Sequence, residues 1–142
     1  MANTFKNKHY KKRTKVSYTH SESFDQENVI KRGDVFWVEF PNSEVIGSEQ
    51  AGLRPVVVIS NNTGNRFSPN VIVALLTTKI KKGRIPTHVE LSVKDGLPKN
   101  SIVLCEQLRT ISKERLGEKI TNLRANKMEE IDVAIKVSLG LF

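Results

Sequence analysis

The chain has a single cysteine, Cys105, so no internal disulfide can form, and the setting it predicts is a reducing, cytoplasmic one. Cys105 closes the apolar run Ser101-Ile102-Val103-Leu104-Cys105 and reads as a small buried hydrophobe, not a nucleophile. No apolar stretch approaches the roughly 18 residues of a membrane span. The basic N-terminus has no apolar segment behind it, so no membrane partner is expected. The patterns CxxC, HExxH, GxGxxG and GxxxxGK[ST] are all missing, which removes sequence support for metal, dinucleotide and P-loop sites; no cofactor and no metal are expected. Of three histidines only His88 lies beyond residue 30. RNA cleavage by a pair of histidines is thereby excluded. Neither Ser48 nor Ser60 sits in a G-x-S-x-G elbow, so a serine triad has no support either.

What the chain does have is positive charge, +8 net over 142 residues. Six basic and three acidic side chains lie in residues 1–30, leaving 17 and 12 in the rest. The excess therefore belongs partly to the folded portion, where Lys79, Lys81, Lys82 and Arg84 crowd into one short span. A polyanion is the expected partner, nucleic acid ahead of a membrane surface because no amphipathic basic helix is visible.

Residues 1–29 are polar and basic with thinly scattered aromatics, and predict a disordered tail in front of one domain over 30–142. From Arg32-Gly33-Asp34 the pattern changes. Val35–Phe40 and Leu53–Ile59 read as strands, the second apolar throughout and hence central. Asn61 to Asn70 is dense in turn formers and reads as a long connection. Val71–Thr78 is a third strand. Thr87–Val93 is a fourth, with Val89, Leu91 and Val93 alternating against His88, Glu90 and Ser92, so that His88 is expected to face outwards. Ser101–Leu108 is a fifth strand and Lys119–Leu123 a short sixth, with about one helical turn over Ser112–Leu116. A C-terminal helix is predicted from Met128, Ile131, Ala134, Ile135 and Leu139, with Asn126 as N-cap and Glu129 three residues on. The expected fold is mainly β with a C-terminal α-helix, a small, strongly curved antiparallel sheet or barrel.

The stretch that draws the eye is Gly47-Ser48-Glu49-Gln50-Ala51-Gly52-Leu53-Arg54-Pro55, a glycine-bracketed loop of short polar groups running into a strand. Pro55 biases Arg54 towards an extended conformation and so fixes the direction of its guanidinium. An always-charged, five-donor fork leaving a rigid strand suits a phosphate. It would serve equally to close a buried strand against Glu49. Nearby candidates are Thr77-Thr78 at a strand end and Glu106-Gln107-Leu108-Arg109-Thr110, groups that bind and polarise phosphate but supply few proton acceptors.

Arg32-Gly33-Asp34-Val35, the Gly47–Ile59 stretch, the Asn61–Pro69 turn, Pro86-Thr87-His88-Val89-Glu90 and Glu106-Gln107-Leu108-Arg109-Thr110 together resemble the PemK/MazF family of toxin endoribonucleases, in order and over residues 30–142. That resemblance implies an SH3-like antiparallel β-barrel, a homodimer, and a cognate antitoxin whose C-terminal segment occupies the RNA groove. It implies DNA binding only with the antitoxin, as an autoregulatory complex. The activity it implies is metal-independent, sequence-selective cleavage of single-stranded RNA by 2′-OH attack, leaving 2′,3′-cyclic phosphate and 5′-OH ends. The family's catalytic arginine and threonine fall on Arg54 and Thr77. Ser48, Glu49 and Gln50 match its RNA-contacting loop, and Glu106 and Gln107 a further groove strand. Thr78 stands where close relatives have a small residue. With Lys79, Lys81, Lys82 and Arg84 it completes the candidate RNA-binding set. Two rival readings use the same fold without chemistry: a toxin that traps DNA gyrase, which would not need the Arg54 and Thr77 pair, and a passive RNA-binding module, which would bind without turnover.

Overall fold

A computed structural model describes residues 29–41, 52–79 and 85–142. The tail assigned to 1–29 falls outside them except for Val29, as do the loop residues Ser48, Glu49 and Gln50 and the basic residues Lys81, Lys82 and Arg84.

Six strands run β1 Asp34–Phe40, β2 Gly52–Val58, β3 Asn70–Thr77, β4 His88–Leu91, β5 Ser101–Ser112 and β6 Lys119–Asn122, with helices α1 Asn62–Phe67 and α2 Ala125–Leu139. All neighbours are antiparallel, in the order β4-β5-β3-β2-β1-β6. The sheet curls into a half-barrel. The curl brings Arg109 of β5 over the ring of Phe40 of β1, 4.8 Å from its centroid, although β3 and β2 lie between the two strands.

Alternation divides the buried side chains between the two faces, as a period of two requires. Phe36, Val38, Phe40, Val56, Val58, Val71, Val73, Leu75, Ile111 and Leu116 pack together on the concave face. Val35, Val57, Ala74, Leu76, Val103 and Cys105 face the other way and are covered by Ile131 and Ala134 of α2. Both faces of the central strands are therefore apolar, which is why β2 and β3 read as unbroken hydrophobic runs.

Several boundaries differ from expectation for local reasons. The turn-former run after β2 contains a helix, α1, because the Asn61 side chain caps it by accepting from the Gly64 amide at 2.8 Å. Asn65 is buried beneath it, donating to the Ser60 carbonyl at 2.8 Å. α2 begins at Ala125 with Arg124 as N-cap and no side-chain cap, so Asn126 lies inside the first turn and not at the cap. β4 ends at Leu91, and Val93 is exposed in a 3-10 turn over Val93–Asp95. There Ser92 and Asp95 form a reciprocal capping box, which stops the strand two residues early.

β5 is 12 residues long and carries the main irregularity. Leu75 of β3 pairs with Leu104, yet Ala74 pairs with Leu108. One step on β3 thus spans four on β5, and Cys105, Glu106 and Gln107 bulge out of the ladder, where a bulge re-aims side chains.

Candidate active site

Arg54 and Thr77 come from adjacent strands. The β2–β3 register runs through Val58↔Val73 and Val56↔Leu75. Carried two residues further, it sets Arg54 against Thr77 on the concave face. Pro55 lies between and has no N–H to give to β3, so the ladder opens at this point. The side chains meet there: Arg54 Nη1 lies 3.5 Å from Thr77 Oγ1. Thr77 is buried at the strand end, and its hydroxyl oxygen also accepts from the Lys79 amide at 3.2 Å. With both acceptor positions engaged, the hydroxyl proton is the group left to donate. Arg54 is half-buried, and desolvation lowers its pKa while leaving it a cation near neutral pH. Thr78 and Lys79 follow directly and are exposed.

A second cluster lies on the same face. His88 pairs with Leu104, which pairs with Leu75, so His88 shares the concave face with Thr77. Contrary to the outward orientation read from the alternation, the His88 side chain is only 9% exposed, because Glu106, lifted by the bulge, lies against it. His88 Nε2 is 2.7 Å from Glu106 Oε1, and Thr87 Oγ1 donates to Glu106 Oε2 at 3.0 Å. Burial alone would raise the Glu106 carboxyl. The hydrogen bonds from His88, its own backbone amide and Thr87, with the His88 charge, outweigh this and hold it below the usual carboxylate range. Gln107 is half-buried beside it.

Cys105 is fully buried and its thiol is pushed up to about 12 by burial and then by the Glu106 charge, so it remains a neutral thiol. Among the described residues no three His, Cys, Asp or Glu side chains are grouped to hold a metal ion. Nor is any described helix long and apolar enough to cross a membrane.

The structure thus brings Arg54 together with Thr77, and places Glu106 and Gln107 on the bulge of β5, the strand next to that of Thr77. Ser48, Glu49, Gln50, Lys81, Lys82 and Arg84 lie outside the described residues, and with Glu49 goes its proposed pairing to Arg54. His88 and Thr87 carried no role in the sequence reading. The motif Pro86-Thr87-His88-Val89-Glu90 was visible, but the bulge that brings Glu106 onto it was not.

Residues 31–139 match the family described as PemK-like, MazF-like toxin of type II toxin-antitoxin system. Endoribonuclease EndoA of Bacillus subtilis strain 168 is 50% identical over 114 residues, covering 80% of this chain and 97% of its own length. An endoribonuclease from a mycobacterial species, solved in complex with its cognate antitoxin, superposes with a TM-score of 0.68 at 27% identity, over 80% of this chain and 97% of that one. MazF from Deinococcus radiodurans superposes with a TM-score of 0.67 at 25% identity, over 80% and 98% of the two chains. With a family match spanning most of its length and half-identity to a relative it covers almost end to end, the chain belongs to the PemK-like, MazF-like toxins of type II toxin–antitoxin systems.

Proposed function

We propose that this toxin endoribonuclease cuts single-stranded RNA without a metal ion, by turning the substrate's own 2′-hydroxyl on the adjacent phosphate. The observation that carries the reading is the Arg54–Thr77 pair, a cation and a hydroxyl donor 3.5 Å apart at an open point of the sheet. In the reaction the 2′-oxygen bonds to phosphorus, its proton passes to solvent, and the P–O5′ bond breaks to leave a 2′,3′-cyclic phosphate. The leaving O5′ takes a proton from the Arg54 guanidinium, which solvent then replaces. Partial desolvation supports this role, since it makes the guanidinium a better acid than it is in water. Arg54 also neutralises charge growing on the phosphorane, and the Thr77 hydroxyl binds a non-bridging oxygen.

The remaining candidates form the surface along which the strand lies. Glu106 and Gln107 read splayed bases, while Thr78 and Lys79 meet the backbone. Ser48, Glu49 and Gln50, with Lys81, Lys82 and Arg84, lie outside the described residues and are the further RNA-contacting candidates. A cognate antitoxin holds the toxin inactive, a partner of the kind seen bound to the mycobacterial endoribonuclease; the toxin works as a homodimer in the cytoplasm, and meets DNA only in the antitoxin complex. Residues 30–142 form the toxin domain, with 1–29 a basic tail that adds non-specific attraction to RNA.

A substrate bearing one 2′-deoxy sugar on the 5′ side of the scissile phosphate tests the chemistry. It should bind almost normally and resist cutting, while ordinary RNA is cut in EDTA. Cleavage of the deoxy substrate at the ordinary rate, or activity that vanishes in EDTA and returns with magnesium, replaces this mechanism with a hydrolytic one.

A further inference from the structure

Thr87, His88 and Glu106 form a polar cluster on the concave face that the cleavage chemistry leaves unused. Each Glu106 oxygen already holds one protein donor, Oε1 at 2.7 Å from His88 Nε2 and Oε2 at 3.0 Å from Thr87 Oγ1. The two side chains differ in exposure: that of His88 is 9% exposed, that of Glu106 39%. The ring is therefore a buried brace, and the carboxylate is the part that meets solvent. The Glu106 amide donates to the same group, so three of its roughly four acceptor positions are held within the protein and one is left for a ligand.

From Thr77 the register reaches His88 by crossing two strands and moving two residues along. At strand spacings of about 4.8 Å and rises of about 3.3 Å per residue, the separation is about 12 Å. That is the scale of a base on a neighbouring nucleotide.

Resting on the reading of this chain as an RNA-cutting enzyme, we infer that His88 is a positioning residue for base recognition. Its ring and the Thr87 hydroxyl hold the Glu106 carboxylate so that it accepts from the amino-bearing edge of one unstacked base beside the scissile phosphate. Adenine, cytosine and guanine each offer an exocyclic amine. Uracil offers one N–H between two carbonyl oxygens, which an anionic carboxylate repels. The carboxyl's position below its usual range keeps it an acceptor through the neutral region.

The test uses the full chain carrying Arg54→Ala, so that RNA is selected by binding and not consumed. Single-stranded RNA randomised over the bound length is selected by this parent, and by the same protein with His88→Ala, His88→Gln or Glu106→Gln added. The parent should show one position depleted of uracil. His88→Ala should weaken that depletion about tenfold and leave the other positions' preferences in place. His88→Gln, which keeps an N–H donor, should restore part of it. Glu106→Gln, whose amide both donates and accepts, should admit uracil. A parent without such a position, or His88→Ala and Glu106→Gln profiles matching the parent, overturns the inference. So does a loss of affinity spread evenly over all positions. If His88→Ala fails to fold by circular dichroism, the His88→Gln and Glu106→Gln profiles decide the matter alone. The selection involves no cleavage, so its failure is distinct from a failure of the deoxy-substrate test.

Discussion

The two polar corners of the concave face are built in opposite ways. Between Arg54 and Thr77 there is one long contact of 3.5 Å. Between β4 and the bulge, two hydrogen bonds of 2.7 and 3.0 Å clamp a single carboxylate. The difference matches the tasks proposed for them. A long contact between the two side chains leaves them room to close on the charge that appears during the reaction. A group that discriminates between bases gains from being fixed in advance, since no ordering cost then falls on binding. At the first corner the direction comes from the backbone, through the Pro55 restraint on Arg54 and the Lys79 amide on Thr77. At the second it comes from side chains.

The sharpest way to break the contrast is Arg54→Ala. Cleavage rate should fall by about 10²-fold or more, with the circular dichroism spectrum unchanged. A rate within about threefold of the parent would remove Arg54 from the chemistry. Arg54→Lys should recover little, because a point charge does not replace the fork. Thr77→Ala should be nearly as damaging, at about 10²-fold, and Thr77→Ser much milder because the hydroxyl stays. Equal losses for Ala and Ser would mean that the methyl, and so packing, is what matters.

A lesion belonging to neither corner provides the control. Gly96 has φ +97°, and a Cβ there would stand 2.5 Å from Thr121 Oγ1. Gly96→Ala should cost about 1–3 kcal/mol of stability, read as a lower Tm, without altering the cleavage rate per folded molecule. If the rate falls as well, the site depends on how the loop after β4 seats against β6.

The smallest effect expected is on stability against pH. Glu106 has a depressed folded-state pKa, so its contribution is present above the ordinary glutamate value of about 4.3 and is lost as pH falls through the lower folded value. The Tm of the native chain should therefore exceed that of Glu106→Gln at pH 7, and the gap should close on acidification below about pH 4. A gap independent of pH would mean that the carboxylate's charge is not what the clamp holds.

Much of the sheet was legible because β2, β3 and β4 obey simple patterning. Leu53–Ile59 is apolar on both faces, and Val89 and Leu91 alternate with polar neighbours. What escaped depended on contacts remote in sequence or on single hydrogen bonds. α1 is a six-residue helix whose Asn61 cap and buried Asn65 look like turn chemistry in a linear reading. The α2 start shifted by two positions because Arg124, with no capping side chain, takes the place that Asn126 advertises. At the site, the Arg54 direction followed from Pro55, whereas the hydroxyls named only the pair Thr77-Thr78, and family resemblance chose Thr77 from it. The inward turn of His88 had no local signal at all, since alternation assigns a face without knowing that the strand opposite will bulge.

That bulge has a consequence for how such a protein can change over time. The surplus at Cys105-Glu106-Gln107 is absorbed between Leu104 and Leu108, both of which keep their partners on β3. Cys105 is held in the core and by its amide to the Thr87 carbonyl, whereas an exchange at Glu106 or Gln107 leaves the β3 ladder on either side in register. Under the base-reading role proposed above, target preference then changes by exchange at these two positions while the pairing of β3 with β5 stays as it is.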